Sequence, residues 1–359
     1  VRPQFLASLL ACFAVGGQAA TTVTDQNGRS VKIPDRVERV ATLVNPAASM
    51  VIAVDQGPAR LVGINRNSRQ EIVDGFIGQI FPSAKRIRID MSGENFVPNV
   101  EAILATRPDI VVQWGDMGNA IVDPIARTGL PVLTLRYGDS KLAAEWLRLL
   151  GIVLTGRSER GHDLATHFLE VYGEIARASA AIPTTHKPKV VYLHRTQGNS
   201  FQVAGNKTGP DSDIRLAGGI NVAADVPGFA HVGAEQLLDW APDVVLLNNV
   251  EKHARPATLY ANPLLAGLPA VKQKRVYVYP QGGFRWEAPS QESPLAWRWL
   301  QALFHPDLNV SPLRAEMTTA YRELYGHEAS QTDLDTVLRM ADNADSLYYR
   351  EKFAGKKTK

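Results

Sequence analysis

Several short segments bring together residue types that could hold a ligand, and each lies just past a run that reads as a buried strand. They are Asn65-Arg66 after LVGI, Trp114-Gly115-Asp116 after DIVVQ, Arg136-Tyr137 after PVLTL, His194-Arg195 after VVYL and Asn248-Asn249 after VVLL. The loop Pro280 to Pro289, PQGGFRWEAP, adds Arg285 and Trp286. Ligands of open α/β sheets sit beyond the carboxyl ends of strands, so these are the positions where chemistry is expected. Three arginines, Arg136, Arg195 and Arg285, stand there with Trp114, Tyr137, His194 and Trp286. Guanidinium groups pair with carboxylate, phosphate or oxyanion oxygens in a fixed fork, and aromatic faces stack on planar or apolar parts of a guest. That mixture suits an anionic metal chelate or an oxyanion.

Catalytic constellations are missing. No GxGxxG follows a strand, and Gly205-Asn206-Lys207-Thr208 lacks the glycine directly before lysine that a phosphate loop needs. There is no GxSxG elbow, and the single cysteine, Cys12, falls near the N-terminus. The eight histidines are scattered, and His162 and His167 are five apart, off a shared helix face, so no metal site is expected. Asp116, Glu287 and His194 could be imagined as acid and base of an exported enzyme. Nothing supplies a nucleophile with a partner, so a binding protein that alters nothing is the favoured reading, with no cofactor.

The elements that must position these residues come from a long-range echo. EAILATRPDIVV, from Glu101, returns as EQLLDWAPDVVL, from Glu235, 134 positions later (235 minus 101). Each copy reads as helix, turn and strand: an acid in the first turn, apolar residues at three-to-four spacing, a proline stop and a β-branched run. Two similar lobes follow, with a crevice between them. Val23 to Pro34 reads as a hairpin turning at Asn27-Gly28. Further strands are expected at 39–44, 61–64, 131–135, 189–193 and 275–279, and helices at 116–128, 213–217, 293–304, 312–325 and 332–340. Ser140 to Ala181 is helical, interrupted at Gly151 to Gly156, and its second piece, capped by Ser158, would be roughly 37 Å long. The chain thus divides into an N-terminal lobe at 21–139, bridging helices at 140–183, a C-terminal lobe at 184–340 and a polar, frayed tail at 341–359.

With 359 residues, 45% of them hydrophobic and 21% charged, the composition is globular and allows two cores. A net charge of +3 without a dense basic stripe argues against nucleic acid as a partner. Residues 1–20 carry Arg2, an apolar run from Phe5 to Val15 and small residues before Ala20, the layout of a secretory signal peptide. Cleavage after Ala19 would leave a cysteine-free exported protein. Leu9-Leu10-Ala11-Cys12 also resembles a lipoprotein box, which would lipidate Cys12.

From residue 23 to 340 the order of pieces resembles the periplasmic solute-binding proteins of bacterial ABC importers for iron-siderophores, haem and cobalamin. The resemblance rests on VTDQNGRSVKIPDRVERV, ARLVGI, the repeated EAILATRPDIVV, LAGGINVAA and ANPLLAGLPAVKQKRVYVYP. It implies two Rossmann-like α/β lobes with mostly parallel sheets, a single long bridging helix and a ligand cleft between the lobes. It also implies a periplasmic monomer that docks on a membrane permease. WGD, GFRWEAPS and WRWLQALFHPDL resemble an iron-complex subgroup, with an iron(III)-siderophore as the expected cargo and molybdate or tungstate, haem or cobalamin as alternatives. Family members dock through one acid per lobe. Glu235 fits that role in the second lobe, whereas Met50 fills the slot expected for the first, leaving Asp55 or another acid to substitute.

Overall fold

A buried valine between exposed neighbours, Val23 in one run and Val31 in the other, sets the register of a small hairpin: β1 (Thr22–Thr24) pairs antiparallel with β2 (Ser30–Lys32). Gly28, at φ 74°, takes the left-handed turn position expected of it. The computed structural model describes residues 21–138, 141–156, 159–251, 253–308 and 312–355. The expected signal peptide, Cys12 and the proposed cap Ser158 lie outside the described residues.

The first lobe is built on β3 (Val40–Thr42), β4 (Leu61–Ile64), β5 (Ile110–Trp114) and β6 (Val132–Leu135), a parallel sheet in the order β4-β3-β5-β6. Every residue of β3, β5 and β6 is buried, as the unbroken apolar runs require of strands covered on both faces. The second lobe holds β7 (Lys189–Gln197), β8 (Ser200–Ala204), β9 (Ile220–Asn221), β10 (Phe229–Gly233), β11 (Val244–Leu247) and β12 (Val276–Val278). Around β7, the parallel strands β9, β11 and β12 repeat the first lobe's order. The antiparallel pair β8 and β10 extends this sheet and was not expected from sequence.

The echo is geometric as well as textual. Asp109 Oδ2 accepts from the backbone N–H of Glu38 and Arg39 at 2.7 and 2.8 Å, and Asp243 Oδ2 accepts from Lys189 N–H at 2.9 Å. Each Pro-Asp pair thus anchors the start of its lobe's first central strand. The residue before each proline, Arg107 and Ala241, has φ 45°, a left-handed stop that takes the chain from helix into strand at both sites.

Helices Leu142–Thr155 and Glu159–Ala180 join the lobes. Of the two glycines at the expected break, Gly151 and Gly156, it is Gly156, at φ 66°, that ends a helix. Gly151 stays inside the first one because a Cβ there would come within 2.7 Å of Gly161 Cα on the second. The bridge proper is the 22-residue Glu159–Ala180, about 33 Å long. Helix Ser293–Phe304 has the expected bounds. Helix Leu313–Tyr325, expected within the C-terminal lobe, packs back on the first, with the Tyr321 ring 5.1 Å from that of Phe76. The helix expected over 116–128 is instead two short pieces, Asn119–Ile121 and Asp123–Ala126, after Gly118 at φ 91°.

The segment expected to be a frayed tail is part of the fold up to Phe353. Asn343 is fully buried, and its side-chain amide bonds both polar groups of Val278, accepting from N–H at 2.7 Å and donating to the carbonyl at 3.1 Å. Ser346 Oγ donates to Val276 O at 2.6 Å, and Tyr349 is fully buried. These bonds cover the outer edge of β12. The first hairpin does the same for β6: Asp25 Oδ2 accepts from Thr134 N–H, Gln26 N–H donates to Thr134 O and Arg29 donates to Val132 O.

Candidate ligand-binding cleft

The lobes enclose a cavity of about 800 Å³ whose walls come from both. The first lobe gives Asn45 and Pro46 after β3, Phe96, Trp114 and Asp116 at the end of β5, Tyr137 after β6, and Trp146. The second gives Tyr192 and His194 on β7, Pro210, Phe229 beside them, and Phe284, Arg285 and Glu287 to Pro289 after β12. The carboxyl ends of the parallel strands meet there, as the open-sheet rule requires. The first-lobe aromatics lock edge to face: Trp114 lies 6.1 Å from Phe96 and Tyr137 and 5.6 Å from Trp146. Trp114 Nε1–H is buried and has no hydrogen-bond partner among the described residues. Tyr137 Oη accepts from Gly209 N–H at 3.1 Å, a bond between the lobes.

Of the seven ligand residues expected from sequence, Trp114, Tyr137, His194 and Arg285 line the cavity, and the other three do not. Trp286 is fully buried and turned away, its Nε1–H donating to Glu292 at 2.7 Å. That glutamate, with Tyr321, Tyr325 and Gly283 also donating to it, forms a polar knot under the loop. Arg195 is half exposed and faces Glu251 at 3.8 Å. Arg136 is an exposed residue whose backbone N–H is held by Gln26. His194 sits at a β-bulge between Leu193 and Arg195, where the register against β8 shifts, and it lines the cavity while Arg195 does not.

The converging arginines thus reduce to Arg285, and its charge is spoken for. Its Nε lies 3.2 Å from Glu71 Oε1, in the first lobe, and 3.6 Å from Glu287 Oε1. Burial pushes both carboxyls up against the pull of Arg285. Burial opposes the guanidinium charge, but Glu287 and Glu71 outweigh it and hold Arg285 above its ordinary value. Glu71 and Glu287 were invisible as partners in the sequence, since nothing local links Glu71 to a loop more than two hundred residues away. His194 carries no charge: burial, aided by Arg195 and Arg285, pushes it down to about 4. The cleft is therefore aromatic and hydrogen-bonding rather than strongly positive, its arginine set against Asp116 and Glu287 on the walls and Glu71 behind.

For docking, Met50 is fully buried in helix Ala47–Asp55, and Asp55 is held by Arg60 at 3.3 Å. Neither presents a free acid. Glu235 is exposed at the start of helix Ala234–Trp240, and its repeat counterpart Glu101 is exposed at the start of helix Val100–Ala105.

A protein family described as periplasmic binding protein matches residues 92–282, which is 191 of 359 residues. The molybdate-binding protein MolA of Haemophilus influenzae is 22% identical over 320 residues, covering 84% of this chain and 89% of that protein. The ferric enterobactin-binding periplasmic protein FepB of Escherichia coli is 25% identical over 296 residues, covering 73% and 85%. The crystal structure of a periplasmic solute-binding protein from Veillonella parvula superposes with a TM-score of 0.82 at 28% identity, covering 91% of this chain and 99% of that one. Such relatives are transport binding proteins, not enzymes. With two α/β lobes, a cleft between them and a match over more than half its length, the chain belongs to the periplasmic binding protein family, the solute-binding proteins of ABC transporters.

Proposed function

We propose that the chain captures an iron(III)-siderophore or a similar metal chelate of low net charge in the periplasm and delivers it unaltered to an ABC permease. The observation that carries this reading is the aromatic cavity of about 800 Å³, whose lining carries no excess of positive side chains. Its size suits a bulky organic guest. Rings from both lobes offer faces to the organic shell of a chelate, and Arg285, matched by Glu71 and Glu287, adds little attraction for a multiply charged anion. The anionic chelate or oxyanion expected from three arginines thus gives way to a weakly charged chelate. Molybdate is the second reading, favoured by the likeness to MolA. A small tetrahedral ion needs many donors around one point, and it would leave most of the aromatic wall unmatched.

Delivery would use Glu101 and Glu235 as the docking pair. They are related by the repeat, both exposed, and each is followed three residues on by an exposed leucine, Leu104 and Leu238. A permease of two like halves would meet the same side chains from each lobe. Titration of tryptophan emission with ferric tris-hydroxamate, ferric tris-catecholate, haemin, cobalamin and molybdate tests the cargo. The expected result is a stoichiometric response, strongest for the uncharged ferric hydroxamate. A response to molybdate alone would overturn the chelate reading. Replacing Glu101 and Glu235 together by alanine should abolish uptake while leaving cargo affinity unchanged.

A further inference from the structure

The cleft contains one side chain whose proton the fold places. Asn248 is fully buried, and its Oδ1 accepts from Val250 N–H at 2.8 Å. That bond settles which end of the amide is oxygen. The Nδ2 hydrogens are therefore directed at His194, at its carbonyl oxygen 3.1 Å away and its ring Nδ1 3.2 Å away. Tyr192 Oη, 3.4 Å from the same Nδ1, can only reinforce the arrangement as a second donor. An amide N–H needs a lone pair opposite it, so Nδ1 is the bare nitrogen and the single proton of the neutral ring sits on Nε2. The ring lies 4.8 Å from Phe229, His194 lines the cavity, and Nε2 has no hydrogen-bond partner among the described residues.

We propose that Asn248 is a positioning residue that holds His194 as an Nε2–H donor facing the cargo, so that the site selects guests offering an acceptor atom there and refuses a metal that would bond to the imidazole. An N–H donor on this wall suits a chelate whose metal is already fully coordinated and whose ligand oxygens are turned outward. A metal centre with an open position would find no lone pair on His194. This selection rests on the chelate reading, whereas the proton position belongs to the unliganded protein.

Long-range proton–nitrogen spectra of the ¹⁵N-labelled full chain, with His194→Gln to assign the signals, test the tautomer between pH 6 and 8. The expected pattern is Nε2–H throughout, with no titration. An Nδ1–H pattern, or a histidine that titrates near its ordinary value, would overturn the proposal. For the donor role, His194→Gln keeps an N–H near the same place and should hold ferric tris-hydroxamate within about threefold of the parent, whereas His194→Leu should lose at least tenfold. Equal affinities in the two variants would remove that role. Asn248→Asp, with an acceptor facing Nδ1, should move the proton to Nδ1 and create affinity for Ni²⁺; an unshifted tautomer in that variant would show that Asn248 does not set it. A parent protein that binds none of the chelates defeats the proposed cargo, while its spectrum still decides the tautomer.

Discussion

The two lobes share one construction and divide the chemistry. In both, a short helix, a left-handed residue before proline and an aspartate on backbone N–H groups lead into a buried strand, at 101–112 and again at 235–246. Their contributions to the cleft differ. The first lobe brings shape, with Phe96, Trp114, Tyr137 and Trp146 interlocked. The second adds polarity to its own rings through His194, Arg285 and Glu287. Glu71 crosses this division, reaching Arg285 from the first lobe, and Asn45 and Asp116 add polar groups to the first lobe's wall. A repeated scaffold fixes where strand ends meet, and the loops beyond them are free to diverge.

The largest break in that division should come from Arg285→Ala. It strands Glu71 and Glu287 as buried, unneutralised acids and should cost about 3–5 kcal/mol in urea unfolding. A loss under about 1 kcal/mol would mean the arginine neutralises nothing. The shared anchor comes next. Asp109→Ala, which removes two accepted hydrogen bonds, should cost about 2–3 kcal/mol, and Asp243→Ala, which removes one, about 1.5 kcal/mol. Equal losses would deny the asymmetry. Trp114→Phe shrinks the ring that Phe96, Tyr137 and Trp146 lock against, and should weaken chelate binding about tenfold, or about 1.4 kcal/mol, by fluorescence titration. A smaller effect is read against pH. Burial raises Glu292 in the folded state, so the unfolded chain loses that proton first. The stabilisation is therefore full below the unfolded value of 4.5 and is lost as pH rises through the raised folded value. Glu292→Gln should make the fall in stability above pH 5 shallower, and an unchanged slope would show that Glu292 does not contribute. Smallest of all, Arg195→Ala should change stability by under about 0.5 kcal/mol and leave chelate affinity unaltered, since its partner Glu251 lies across a half-exposed 3.8 Å gap. A tenfold loss of binding there would return the second arginine to the cleft.

What was legible in the sequence is what depends on neighbours in the chain. Buried parallel strands are apolar at most positions, so LVGI and PVLTL stood out, and Ser293–Phe304 carried a helical period throughout. The unexpected β8 and β10 are short, partly exposed and antiparallel, and their alternation is too brief to separate from loop. The site was half legible for a related reason. Strand ends can be located from local pattern, but which way a side chain turns beyond the strand depends on partners far off in sequence. Arg285 and Trp286 are adjacent, yet one meets Glu71 at the cleft and the other Glu292 beneath it. The tail was misread because its tethers are single buried side chains, Asn343, Ser346 and Tyr349, and scattered residues give no periodic signal.

The bonds that Asn343 and Ser346 make to β12, and that Asp25, Gln26 and Arg29 make to β6, have a consequence for folding. An uncovered outer strand is a template on which a second molecule can assemble into aggregates. Here one lobe's open flank is closed by residues from the start of the described chain and the other's by residues from its end. The second flank stays open until synthesis has passed residue 346, so nascent and C-terminally trimmed forms should be the ones most prone to self-association.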